Sequence, residues 1–378
     1  MTLGTGVLPD NRCRRRHYID YGVKRLSYIG LRCSRERGVR KVEGRKLQLT
    51  GGSTFVVSLP KRWVTDAGLK AGDTVFLEPQ VDGAVQIRAR PMERPLARRR
   101  VFEEKGAERR DHLLRKLIGA YIAGFGYIEI RFKPEAGPFV RRVARDFSRM
   151  VIGPEVIEET RNSVVIQDLS DTAELSPEKC LRRMHLTVRA MHEDALAALR
   201  SRDDTLARDV AQRDQDVDRL YWMVAKQYNL AHTAGAAPRN AGEKTELHNY
   251  RLIAKLFERI GDHAERIART YPVFAEHGLE PRLLKELDAA RDSAIAILDK
   301  AFFALLTADI DSANEAVDDL DRHQKLIDGL SHHVASKKGE ELLALAAIVD
   351  SLARSANYAT DIAEIAIDYA VSKGAETP

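Results

Sequence analysis

From residue 176 onward the sequence reads as helix throughout, and it repeats itself. Residues 190–199 (AMHEDALAAL) parallel 296–305 (AILDKAFFAL) at an offset of 106. Further along, Arg259, Ala264 and Ile267 are matched by Arg354, Ala359 and Ile362 at an offset of 95. The shorter second offset places an extra loop in the first copy, in the Ala-, Gly-, Asn- and Pro-bearing stretch 232–243. Ser176-Pro177-Glu178 marks the start, with Ser as cap and Pro in the first turn. Six helices fit the pattern: 177–201, 204–231, 244–275, 281–307, 311–336 and 339–372. A duplicated helical triplet joined by short loops restricts residues 176–372 to two tandem three-helix bundles.

The preceding half alternates instead. In 45–90, Leu47 and Leu49 alternate with polar neighbours, Gly51-Gly52-Ser53 turns the chain, and 55–59 runs on as a second strand to Pro60. A helical turn over 61–67 follows, then a hairpin of 73–77 with 85–88 around Asp82-Gly83. Four short strands cannot bury a core alone, so this unit needs a partner chain. Residues 91–110, charged and carrying Pro91 and Pro95, read as a linker. Residues 111–172 read as a small α/β domain: a helix, a strand at 127–132, a second helix at 139–150, and a hairpin across Arg161-Asn162.

Charge and cysteine usage narrow the function classes. Residues 1–45 hold twelve Lys/Arg against four Asp/Glu, a net of +8 in a chain whose total is +5, so residues 46–378 carry −3. Residues 1–44 lack periodicity and read as a disordered basic extension. Three cysteines with no Cys-x-x-Cys pair support neither a disulfide framework nor a zinc knuckle, which fits a cytoplasmic protein. The longest charge-free stretch, 47–60, is too short and polar for a membrane span. There is no P-loop and no nucleophile–base arrangement, so no catalytic residue is assigned.

One constellation carries chemistry. The second helix has an apolar lane at Leu206, Val210, Val217, Tyr221, Val224 and Tyr228, interrupted by Asp214, with Asp218 one turn later. The third helix runs Glu258 and Asp262, again four apart, beside its own lane. Like charges at this spacing destabilise a helix, and a carboxylate in a buried seam is costly without a cation or donor. Two such pairs on neighbouring helices would converge on a hard-cation or iron site. The plainer reading is a solvated acidic face neutralised by Arg213, Arg219 and Arg259. Gly261, unfavourable inside a helix, points to close helix packing.

The run Glu258-Arg259-Ile260-Gly261-Asp262-His263-Ala264-Glu265-Arg266-Ile267-Ala268, with Asp214-x-x-x-Asp218 upstream, resembles the paired acidic motif of PhoU-type phosphate-uptake regulators. The duplicated helical layout resembles that family too. Separately, 49–63 (LTGGSTFVVSLPKRW) and 68–75 (GLKAGDTV) resemble the AbrB/SpoVT swapped-hairpin DNA-binding domain. The combination is similar to archaeal AbrB-fused PhoU proteins. The resemblance implies a multidomain chain: an AbrB-like swapped-hairpin β-barrel, the small α/β domain, and an all-α PhoU-like half. It also implies a homodimer and a metal site at Asp214, Asp218, Glu258 and Asp262, with iron, zinc or magnesium left open. DNA contacts through Arg45, Lys46, Lys61 and Arg62 follow from it, as does negative control of phosphate ABC transporter subunits or an associated signalling protein. In the second copy Ala353 and Asn357 replace Glu258 and Asp262, and with Asp321 set against Asp214, Lys325 stands for Asp218, so one metal site is expected. The rival reading is an AbrB-type transcriptional regulator whose bundle senses metal or phosphate status without touching a transporter.

Overall fold

The structure is a computed structural model that describes residues 44–79, 85–89, 98–104, 109–170, 174–233 and 241–374. The basic extension and most of the expected linker lie outside the described residues. The chain divides into two compact units, residues 1–71 and 72–378.

In the first unit β1 (Gln48–Thr50) and β2 (Thr54–Val56) pair antiparallel, with Leu49 opposite Phe55. Gly51 and Gly52 make the turn at φ +64° and +85°, which a side chain would strain. After Pro60, α1 (Lys61–Asp66) adds less than two turns and ends towards Gly68 at φ +69°. This unit buries little: Leu47, Leu49 and Phe55 are exposed at 64%, 58% and 66%.

The second unit opens with β3 (Phe76–Pro79) and β4 (Val85–Arg88), an antiparallel pair with Leu77 opposite Ile87. The turn expected at Asp82-Gly83 lies outside the described residues. Among the described residues β1 pairs with β2 and β3 with β4. Leu77 and Val85 are also left exposed.

The α/β layer begins inside the stretch read as a linker. There β5 (Arg99–Glu104) pairs parallel with β6 (Tyr127–Phe132). Only Val101 and Phe102 of β5 are apolar, and four flanking charges hid its alternation. Between them runs α2 (Arg110–Ile122). Next come α3 (Gly137–Met150), β7 (Pro154–Glu159) and β8 (Ser163–Asp168), and the sheet order is β5-β6-β8-β7. Leu113, Leu117, Tyr121, Ile128, Ile130, Phe147, Val164 and Ile166 form its core.

Seven helices complete the unit: α4 (Pro177–Ser201), α5 (Asp204–Thr233), α6 (Ala241–Ala268), α7 (Tyr271–Phe274), α8 (Pro281–Thr307), α9 (Ile310–Val334) and α10 (Gly339–Gly374). Ser176 caps α4, its hydroxyl accepting from the Lys179 amide at 3.3 Å. The expected third helix ends earlier than its periodicity suggests: Pro272 in the first turn of α7 cannot continue the α6 ladder. The repeat extends to the caps, since α4 and α8 both end on a left-handed residue, Arg202 and Ala308, 106 apart. The two triplets do not keep separate interiors, because a single apolar cluster runs from Cys180 to Tyr369. At their junction His192 Nε2 lies 3.1 Å from both the Ile260 carbonyl and Ser355 Oγ.

Polar groups fasten the α/β layer to α5. Lys226, 3% exposed, pairs with Asp168 at the end of β8 and donates to Ser170 Oγ at 2.8 Å. Asn229 donates to the Ile122 carbonyl at 2.8 Å. Among the described residues no helix is long and apolar enough to cross a membrane.

Candidate metal centre

Asp214 occupies a place in α5 where the apolar stripe calls for hydrocarbon: Val210 before it and Val217 after it are fully buried. On α6, Phe257, Ile260 and Ala264 are buried, with Glu258, Asp262 and Glu265 flanking them. Gly261 lets these helices close. A Cβ there would stand 3.3 Å from Asp214 Oδ1, 3.5 Å from Val217 and 3.6 Å from Val188, so the carboxylate lies against the α6 backbone. The close packing expected at Gly261 is present.

Burial and mutual repulsion raise the acids. Asp214 is pushed up to about 7, by burial first and then by Glu265, Asp218, Asp262 and Glu258. Asp218 is likewise pushed up to about 7 by burial, Glu258 and Asp262. Asp262, at the open edge of the seam, rises to about 6 through burial and Glu258, opposed by Lys255 and Arg259. Glu265 therefore joins the predicted four. Its spacing, three beyond Asp262 and seven beyond Glu258, puts it on the same helix face and was available in the sequence.

Two of the three arginines expected to neutralise this face are engaged elsewhere, while the third, Arg259, acts on Asp262. Arg213 pairs with Asp194 at 2.7 Å and Asp209 at 2.9 Å, and Arg219 reaches Asp216 at 3.5 Å. Local compensation is limited: Lys255 pairs with Glu258 and lies 4.9 Å over the Tyr221 ring, and Arg269 holds Glu265 at 2.7 Å. Glu258 Oε2 is buried with no hydrogen-bond partner.

An oxygen-only set of carboxylates, three of them raised and one with an orphaned buried oxygen, fits a hard cation in chemistry. Among the described residues, however, no three His, Cys, Asp or Glu side chains are gathered in a metal-holding arrangement. Capture would require side-chain rotation to bring the oxygens inward.

The second copy carries no equivalent. Buried Val210, Val217 and Val224 of α5 align with buried Ala316, His323 and Leu330 of α9, an offset of 106. Asp214 and Asp218 thus correspond to Leu320 and Gln324, one residue before the pair matched from sequence. Glu258, Asp262 and Glu265 correspond to Ala353, Asn357 and Thr360. His323 stands where Val217 would, 1% exposed, its pKa lowered by burial. In the first unit Arg45, Lys46, Lys61 and Arg62 are all exposed, and Arg62 faces Asp66 at 3.7 Å.

Residues 181–270, from the second turn of α4 to just past α6, match the model of the PhoU domain. The chain carries a PhoU domain. The matched segment is the first copy, the one that holds the carboxylates. Residues 48–95 match the model of the antidote-toxin recognition protein MazE, a bacterial antitoxin, so the PhoU domain is fused to a MazE/AbrB-like segment. Two solved structures are similar. PhoU from Pseudomonas aeruginosa is 24% identical over 53% of this chain and 99% of that one, with a TM-score of 0.47. The phosphate transport system regulatory protein PhoU from Streptococcus pneumoniae is 18% identical over 51% and 92%, with a TM-score of 0.46. No curated protein matches the chain significantly.

Proposed function

We propose that this PhoU-domain chain is a non-enzymatic regulator of phosphate uptake, acting on a phosphate transporter or its signalling partner through a cation-holding helical body. The observation that carries this reading is the carboxylate seam within the PhoU-matched residues: Asp214, Asp218, Glu258 and Asp262, joined by Glu265, around Gly261. A divalent cation would replace repulsion with attraction and fix α5 against α6. Asp214, against the α6 backbone at Gly261, and Glu258, with its orphaned oxygen, would hold it, with Asp218, Asp262 and Glu265 completing the oxygen shell.

The N-terminal segment would serve as dimer clamp and DNA contact. Leu49, Phe55, Leu77 and Val85 present apolar surface that a second copy would cover. Arg45, Lys46, Lys61 and Arg62 offer exposed cations for phosphates.

Elemental analysis after dialysis against iron, zinc or magnesium tests the centre. Asp214→Asn with Glu258→Gln is expected to remove most bound metal, and unchanged stoichiometry would refute the assignment. Crosslinked DNA capture from native cells at high and low phosphate separates the two regulatory routes. Enrichment upstream of phosphate-transport genes, lost in Lys61→Glu with Arg62→Glu, assigns DNA control. Background recovery at both concentrations confines the N-terminal segment to dimerisation.

A further inference from the structure

The two edges of the four-stranded sheet are unlike. Strand β7 is blunted, with a bulge between Val156 and Glu158 and a run of glutamates at 155, 158 and 159. Strand β5 pairs with β6 alone among the described strands, in unbroken register over all six residues. One face of its side chains is open: Arg99 and Glu103 are 60% and 64% exposed and Val101 is 36% exposed, Arg99 also pairing with Glu129 of its own sheet, whereas Glu104 on the other face is 5% exposed.

The residues of this edge, Arg98-Arg99-Arg100-Val101-Phe102-Glu103-Glu104, are charged in a polar order. Pairing with a parallel copy would set arginine against arginine and glutamate against glutamate. Antiparallel pairing about a two-fold axis through Val101 does the reverse. Arg99 then faces Glu103 of the second copy, Arg100 faces Phe102, and Val101 faces itself. A two-fold axis perpendicular to the sheet keeps each face on its own side, so only registers that join like-faced residues are allowed. Moving the axis to Arg100 apposes two arginines, and moving it to Phe102 sets Val101 against Glu103. Among these registers only that of Val101 sets the exposed Arg99 and Glu103 against each other and Arg100 against a ring. An arginine already approaches Phe102 in the chain itself, Arg100 lying 5.4 Å over it.

We infer that β5 is a homotypic interface, joining two copies of this chain edge to edge into an eight-stranded sheet centred on Val101. Opposite charges across an antiparallel pair stabilise it and like charges destabilise it, so the edge that repels other strands accepts its own. The interface shares no residue with the N-terminal clamp or with the metal centre.

Cysteine crosslinking of the full chain tests it, in a background of Cys13→Ser, Cys33→Ser and Cys180→Ser. Directly opposed residues in an antiparallel pair sit about 4.5–5.5 Å apart at Cα, within disulfide reach. Val101→Cys is expected to form a disulfide-linked pair at least about tenfold faster than Ile157→Cys, an exposed control on β7. Co-expressed Arg99→Cys and Glu103→Cys chains should link to each other, while each alone should not. Far-ultraviolet circular dichroism checks that each variant folds. Failure of Val101→Cys to link above the control overturns the proposal, whether the edge stays bare or takes a strand from another protein. Self-linking of Arg99→Cys as fast as Val101→Cys overturns the register.

Discussion

Replacing Asp214 by Asn tests whether the acidic seam is held at a cost. In the folded chain its carboxyl titrates near 7 rather than 3.8, because burial and then Glu265, Asp218, Asp262 and Glu258 oppose its charge. A shift of that size corresponds to at most about 4 kcal/mol, at 1.36 kcal/mol per unit. The side chain keeps contact with solvent, and the shift is shared with its neighbours, which reduces the expected effect to about 1–2 kcal/mol. The sign follows from proton counting. With its folded pKa above the unfolded one, the folded chain binds the extra proton between about pH 4 and 7, so stability falls as pH rises through that window. Asn carries no such penalty. In chelator at pH 8, Asp214→Asn should therefore melt about 2–8 °C above the parent, converting at ~2–4 °C per kcal/mol for a body of this size. At pH 4.5 the two should nearly coincide. Saturating divalent cation should reverse the order at pH 8, since ligand at a hundredfold over Kd adds about 2.7 kcal/mol to the parent. A variant that melts below the parent in chelator at pH 8, or a difference that ignores pH, would refute the reasoning.

Two further substitutions probe what surrounds the seam. Gly261→Val puts branched carbon where Asp214, Val217 and Val188 already stand within 3.6 Å of a Cβ. Overpacking should cost about 1–3 kcal/mol, read as a lower urea midpoint together with weaker cation binding. Lys226→Met strips the ammonium partner from partly buried Asp168, which keeps only the Ser170 donors, and should cost about 3 kcal/mol. Adding Asp168→Asn should recover most of that loss, and an uncorrected double variant would argue against a paired charge at this junction.

The helical half was legible because its signals are redundant. Ser176-Pro177 fixed one start, the 106-residue offset fixed the partner helix, and both recur at the caps Arg202 and Ala308. Pro272 was equally visible, yet the apolar spacing running past it concealed the break. The seam was legible as an interruption of a stripe, with Asp214 where Val or Leu belongs. Glu265 escaped because its neighbour Arg269 makes it resemble an ordinary surface ion pair. The α5–α9 register slipped by one residue because Asp321 resembles Asp214 in type. Burial, rather than residue type, aligns the copies, and burial puts Leu320 there. Strand β5 was missed for another reason: an edge strand buries one face at most, so four of its six residues can be charged without breaking the sheet.

Lys226 lies eight residues beyond Asp218 on α5, about 12 Å along one helix. Through Asp168 it ties that helix to β8, next to β6 and one strand further from β5. The carboxylate seam and the sheet edge are thus attached to a common strut, with no hinge among the described residues between them. If a cation shifts α5, the displacement reaches the sheet. Thermodynamic reciprocity then binds the two events: whatever factor cation occupancy contributes to the association of two copies, association returns to cation affinity. Dilution of the protein would then change its hold on metal by that same factor.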